Sequence, residues 1–184
     1  MYAERHIRNL ALIGFMGVGK STMGRHFADF LNYRFVDTDE IIEQRQKTSI
    51  AQIFAEHGED HFRRLERDLV MEMKSWDHCV ISTGGGLVTY EDNIDHLKQH
   101  AFVVCLWASP QTIFNRVKRQ SHRPLLQTED PLGTITNLLA KRKVFYQAAD
   151  LMINTETRPM RQISQIVVRQ FRQVQRREPG EGVA

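Results

Sequence analysis

Gly14-Phe15-Met16-Gly17-Val18-Gly19-Lys20-Ser21-Thr22 satisfies the pattern G-x-x-x-x-G-K-[ST], with Gly14 and Gly19 as its fixed glycines and Gly17 as an additional one. The context on both sides fits. Leu10-Ala11-Leu12-Ile13 before it is a short apolar run that reads as a buried strand. After it, Met23, Phe27, Phe30 and Leu31 recur at helical spacing, so the loop joins a strand to a helix. Glycines reach positive φ and carry no Cβ, so successive backbone N–H groups can turn inward around a phosphate chain. The helix opening near Lys20 adds unpaired amide donors and the positive end of its dipole. Lys20 then places an ammonium on the β- and γ-phosphates, and the Ser21 hydroxyl is set to ligate Mg²⁺. A glycine-rich turn that binds nothing is the alternative, and the full pattern with both flanks argues against it. The stretch predicts a nucleoside triphosphate site.

The rest of the chain alternates strand and helix. Tyr33–Val36 reads as a second strand, Cys79–Ser82 as a third, Phe102–Trp107 as a fourth and Leu151–Asn154 as a fifth. Helical patterns lie between them: Glu40 to Trp76 broken at Gly58, Glu91 to Gln99, one starting at Ser109-Pro110, and Thr134 to Ala148. A last helix carries the stripe Met160, Ile163, Val167, Phe171 and Val174, with Arg169, Arg172, Arg176 and Arg177 on a face read as solvated. Ser49-Ile50-Ala51-Gln52 has the form of a capping box. Such alternation implies an α/β protein, a mostly parallel sheet covered on both faces.

At 184 residues, 41% hydrophobic and 26% charged, the chain suits one ordinary domain and argues against disorder. A net charge of +3 fits anionic small molecules and is too weak to demand a nucleic acid. Cys79 and Cys105 both sit in apolar runs, which predicts buried reduced thiols rather than a disulfide. The early apolar run is too short for a membrane span or a signal peptide, so a cytoplasmic protein is expected. Residues 178–184 are expected to form a flexible tail.

Several stretches beyond the loop carry chemistry. Asp37-Thr38-Asp39 follows the second strand, and in extended geometry its two carboxylates point the same way at the carboxyl end of a sheet strand, where ligands bind. One can hold a Mg²⁺-bound water and the other accept a proton from a hydroxyl, or one of them caps the next helix. Gly84-Gly85-Gly86 ends the third strand where many phosphate-loop proteins have an Asp; it lets a ligand approach the backbone, or it is a loose turn. Arg116, Lys118, Arg119, His122 and Arg123 form either a basic flap that closes over phosphates or a solvated run. Arg142 falls inside the stripe Ile135, Leu138, Leu139, Phe145 and Tyr146. A buried arginine needs an anion, supplied by the protein or by a substrate carboxylate. The chain has no guanine-recognising Asn-Lys-x-Asp, and its size excludes motor ATPases, which leaves a small-molecule kinase or another nucleotide switch.

The ordered set Gly14-x-Met-Gly-x-Gly-Lys-Ser-Thr-x-Gly24-Arg25, Asp37-Thr38-Asp39, Phe62-Arg63-x-x-Glu66, Gly84-Gly85-Gly86, Arg123-Pro124-Leu125-Leu126 and Arg142 with Tyr146 resembles the shikimate kinases across about residues 8–175. The resemblance implies a three-layer P-loop kinase fold, with a five-stranded parallel sheet flanked by helices. It further implies a helical acceptor-binding insertion at about 37–66 and a mobile lid at about 115–128, within one domain spanning 1–177. The implied reaction is transfer of the ATP γ-phosphate to the 3-hydroxyl of shikimate with Mg²⁺, in chorismate synthesis. By matching position, Gly17, Val18, Gly19, Lys20, Ser21 and Thr22 hold the phosphates, with Arg123 reaching them from the lid and Arg116 lying against adenine. Asp39 binds the shikimate hydroxyls as the candidate base, so Lys20, Asp39 and Arg123 are the catalytic set. Arg63 and Arg142 grip the carboxylate, and Gly84, Gly85 and Gly86 line the site. Ser21 ligates Mg²⁺ directly and Asp37 through water. The expected partners are ATP and shikimate only, for a monomeric chain with no nucleic acid and no membrane. Two departures stand out. Val144 replaces the family's usual proline two residues after the matching arginine, which predicts a helix that runs on unbroken. The loop Asn154 to Pro159 matches loosely, so Arg158 is left outside the predicted site.

Overall fold

The computed structural model describes residues 5–90, 92–118 and 128–176. Five strands, β1 (Asn9–Ile13), β2 (Arg34–Asp37), β3 (Cys79–Ser82), β4 (Ala101–Trp107) and β5 (Leu151–Asn154), form one parallel sheet in the order β2-β3-β1-β4-β5. Every residue of β1 and β3 is buried, as are the first six of β4, because helices cover both faces and leave no side for polar alternation. The register Leu12↔Ser82 and Ile13↔Cys105 brings the carboxyl ends of β1, β3 and β4 level. With β1 central and its neighbours connected away on opposite sides, the loop after β1 opens where such sheets bind ligands.

The helices are α1 (Lys20–Leu31), α2 (Thr38–Gln46), α3 (Ile50–Glu72), α4 (Asn93–His100), α5 (Pro110–Val117), α6 (Pro131–Gln147) and α7 (Met160–Gln175). Gly58 interrupts α3 with φ 79° and ψ 175°, so the expected break is a kink between two helical pieces. Ser49 caps α3 by accepting from the Gln52 amide. The reciprocal half of the expected capping box is absent: the Gln52 side chain bonds Thr48 and Glu56, while Glu43 Oε1 takes the Ile50 amide at 2.9 Å. Ser109 caps α5 with Pro110 at its first position, as the sequence predicts. α6 passes through Val144 without a break. In α7, Ile163, Val167 and Phe171 are buried, whereas Met160 is 39% exposed and faces a cleft beside the loop after β1. Cys79 and Cys105 are buried and free, and burial pushes the Cys105 thiol up to about 12.

Candidate active site

The loop after β1 folds as its glycines require. Gly14 has φ 135°, and a Cβ there would lie 2.2 Å from the Leu106 carbonyl oxygen, so this turn passes too close to β4 for any side chain. Gly19, at φ 98°, precedes the first turn of α1, and the Lys20 side chain folds back so that Nζ donates to the Gly14 and Phe15 carbonyls at 2.9 and 3.0 Å. The ammonium is thereby held above the loop whose amides it complements.

Asp37 and Asp39 both reach the cleft by a route other than the extended geometry the sequence suggests. α2 starts at Thr38, so the strand's alternation stops there. Asp37 becomes the N-cap, accepting the Asp39 amide at 3.1 Å through Oδ1, and Asp39 sits in the first helical turn. Capping leaves the second oxygen available: Asp37 Oδ2 accepts from the Ser21 hydroxyl at 2.9 Å, with Ser82 Oγ 3.4 Å from Ser21 Oγ.

A cleft of about 540 Å³ runs along these elements. Its lining includes Gly17, Val18, Gly19, Lys20, Ser21, Thr22, Asp37, Asp39, Gly85 and Arg116 of the predicted residues. Arg63, Arg142, Gly84 and Gly86 do not line it; Gly85 alone of the glycine run does, and the two arginines pack against that run. Gly84 donates its amide to buried Thr38 Oγ1 at 2.8 Å, and the Gly85 carbonyl accepts from both Arg142 Nη1 at 3.1 Å and Tyr146 Oη at 2.9 Å. The Gly86 carbonyl accepts from Thr89. The run is therefore a pinned structure and not a loose turn, and the amides of Gly85 and Gly86 have no partner among the described residues. Side chains close in from three directions. A Cβ on Gly84 would lie 2.6 Å from Asp39 Oδ1 and 2.9 Å from Glu66 Oε1, and one on Gly86 would lie 2.7 Å from Arg63 Nη1.

Of the two inner arginines, one is held by carboxylates of the protein and the other is not. Arg63, 12% exposed, is held by Glu59 and Glu66 of its own helix. Glu66 is fully buried, and burial pushes its carboxyl up to about 7, against the pull of Arg63 and with an added push from Asp39. Arg142 lies 5.4 Å over the Phe15 ring, and no carboxylate pairs with it among the described residues. The anion that the sequence demands for it is thus not supplied by the described protein. Burial likewise raises the Tyr146 hydroxyl to about 12.

Arg116 is strapped across the far end of the cleft, donating to Thr155 Oγ1 at 3.0 Å, to the Thr155 carbonyl at 3.1 Å and to the Gly17 carbonyl at 3.4 Å. Arg158, left out on sequence, lines the cleft together with Thr155 and Met160. Arg123 and most of the expected lid lie outside the described residues. Glu66 and Tyr146 belong to the site as well, and the motifs that contain them assign neither a role. The i, i+3 spacing of Arg63 and Glu66 was the available signal for the first. No three His, Cys, Asp or Glu side chains group to hold a metal among the described residues.

A family model described as Shikimate kinase matches residues 16–172. The shikimate kinase of Caldanaerobacter subterraneus subsp. tengcongensis is 37% identical over 165 residues, covering 90% of this chain and 96% of that one. The solved structure of shikimate kinase from Acinetobacter baumannii in complex with shikimate superposes with TM-score 0.84 at 35% identity, over 91% of this chain and 94% of that one. A gluconokinase from Sinorhizobium meliloti, with TM-score 0.59 at 14% identity over 94% and 96%, shares the fold alone.

Proposed function

The chain belongs to the shikimate kinase family, and from that premise we propose how its cleft carries the γ-phosphoryl group of ATP to the 3-hydroxyl of shikimate. It is an ATP-dependent phosphotransferase with an alcohol group as acceptor, serving the synthesis of chorismate and the aromatic amino acids. The observation that carries the assignment of roles is the meeting of a phosphate loop with two guanidiniums on one glycine run. Arg142 bonds Gly85, and Arg63 packs where a Gly86 side chain would stand.

In this reading the amides of Gly17, Val18, Gly19, Lys20, Ser21 and Thr22 hold the triphosphate, and Lys20 leaves the Gly14 and Phe15 carbonyls for the β- and γ-phosphates. Arg116, fixed by Thr155, lies along the adenine, and Arg123 reaches the phosphates from the segment at about 115–128. Arg63 and Arg142 hold the acceptor carboxylate, with the Gly85 and Gly86 amides as further donors. Asp39 orients the acceptor hydroxyls and takes the proton of the attacking one. The insertion at about 37–66 is the acceptor-binding part of a single domain spanning 1–177. Phosphoryl transfer asks mainly for positioning and charge neutralisation, and these residues supply both.

The Ser21 hydroxyl and Asp37 carboxylate, 2.9 Å apart beside the loop, are hard oxygen donors that suit Mg²⁺, an ion that keeps most of its ligands from water and phosphate. Ser21 would hold it directly and Asp37 through water, and the ion would neutralise charge on the β- and γ-oxygens. No described helix is long and apolar enough to cross a membrane. A monomer working in the cytoplasm completes the proposal.

The test is a coupled assay of ADP release with shikimate, gluconate or AMP as acceptor. Turnover that depends on shikimate is expected. Turnover with gluconate or AMP and none with shikimate would remove the reading.

A further inference from the structure

Glu66 has a position that gripping Arg63 does not by itself explain. It is fully buried, its Oε2 pairs with Arg63, and its Oε1 has no hydrogen-bond partner among the described residues. That second oxygen faces the acceptor side, because it and Asp39 Oδ1 both crowd the one point where a Gly84 Cβ would sit. A buried carboxylate with one oxygen unsatisfied and a second carboxylate facing the same point is costly as an anion and well suited to hold a proton.

The charged groups around it can be named element by element. Arg63 and Glu59 come from its own helix, Asp39 from α2 and Arg142 from α6. The glycine run offers backbone only, and the turn Leu87–Thr89 has no charged side chain. On the α4 side, Asp92 and His96 are engaged with Arg67. Only Arg63 and Arg142 hold the Glu66 carboxyl down, and these are the two groups assigned to the acceptor carboxylate.

We propose that Glu66 is the group through which the acceptor pocket takes up a proton: when an anionic acceptor occupies Arg63 and Arg142, the guanidinium shared with Glu66 no longer balances both anions, and Glu66 Oε1 accepts a proton from solvent. One O–H bond forms, the solvent acid loses its proton, and the protein gains a neutral donor facing the acceptor side. With the pocket empty the carboxyl titrates at about 7, so the event falls in the working pH range. Affinity for the acceptor is then full below that value and declines as pH rises through it. The inference rests on the reading that the acceptor is a carboxylate held by Arg63 and Arg142.

Isothermal titration of shikimate into the full chain, in phosphate and in Tris near pH 7, separates proton exchange from binding heat through the buffers' different ionisation enthalpies. Uptake of up to about half a proton per shikimate is expected, because roughly half the Glu66 carboxyls are still ionised there and the acceptor's own carboxyl titrates near 4. The Kd should rise up to about tenfold between about pH 6 and about pH 8. Glu66→Gln should bind without proton uptake and with a pH-flat Kd, and Glu66→Asp should restore the uptake. Wild-type binding with no proton exchanged, or uptake undiminished in Glu66→Gln, overturns the proposal. Absence of shikimate binding at every pH overturns the acceptor assignment instead.

Discussion

The two ends of the site are built on different principles. The nucleotide end is made of backbone from one continuous stretch: Gly14 to Thr22 turns between β1 and α1, and its lysine bonds its own loop. The proposed acceptor end is made of side chains brought from α2, α3 and α6 onto the run Gly84–Gly86, with charge shared among Asp39, Arg63, Glu66 and Arg142. A backbone cradle is local, so a motif in the sequence specifies it almost completely. A pocket of paired charges is non-local, and it needs the tertiary fold to say which partner each charge has.

The contrast can be broken first at the nucleotide end. Lys20→Ala should lower kcat by roughly 10³-fold or more, since no other described cation bonds the Gly14 and Phe15 carbonyls. The far-ultraviolet circular dichroism should be unchanged. Full activity in this variant would mean that the loop holds the phosphates without it.

At the acceptor end the smaller change Gly86→Ala should act selectively. Its methyl would meet Arg63 Nη1 at 2.7 Å and push the guanidinium off its position. The KM for shikimate should rise about tenfold with the KM for ATP within about twofold. A rise in both would mean that the two ends are not separable.

The smallest effect is on stability. Glu66 titrates at about 7 in the folded chain against an ordinary 4.5, so the folded state binds that proton more tightly than the unfolded state. The contribution is complete below about pH 4.5 and is lost as pH rises through about 7. Thermal unfolding from pH 4.5 to pH 8 should therefore show a downward slope in Tm that Glu66→Gln flattens by a few degrees. Identical slopes in both chains would mean that Glu66 is not titrating in this range.

Legibility follows the same division. The five strands and the covered parallel sheet are readable from apolar runs alternating with helical stripes, because both patterns are short-range. The strand order is not, since nothing local to Tyr33–Val36 says that β2 pairs with β3 and not with β1. Within the site, Lys20 and Ser21 follow from one motif, whereas strand alternation predicts the shared direction of Asp37 and Asp39, and a helix N-terminus is what brings both to the cleft. Arg142 declares itself as a charge in an apolar stripe, yet only the fold reveals that Gly85 and the Phe15 ring receive it. Glu66 reads as one more charge on a helix surface until its burial is seen. Arg158 enters the cleft through a loop whose sequence matches the family loosely.

The central claim is that an acceptor carboxylate is gripped by Arg63 beside the phosphate loop. A cycle over two changes tests it: wild type and Arg63→Ala, each assayed for kcat/KM with shikimate and with its neutral carboxamide. The account predicts a loss of about 10- to 100-fold for either change alone and a combined loss well short of their product, because the Arg63 contact is lost in both, while the carboxamide also gives up the Arg142 contact. Losses that multiply would show that Arg63 and the carboxylate act independently, and would contradict the account.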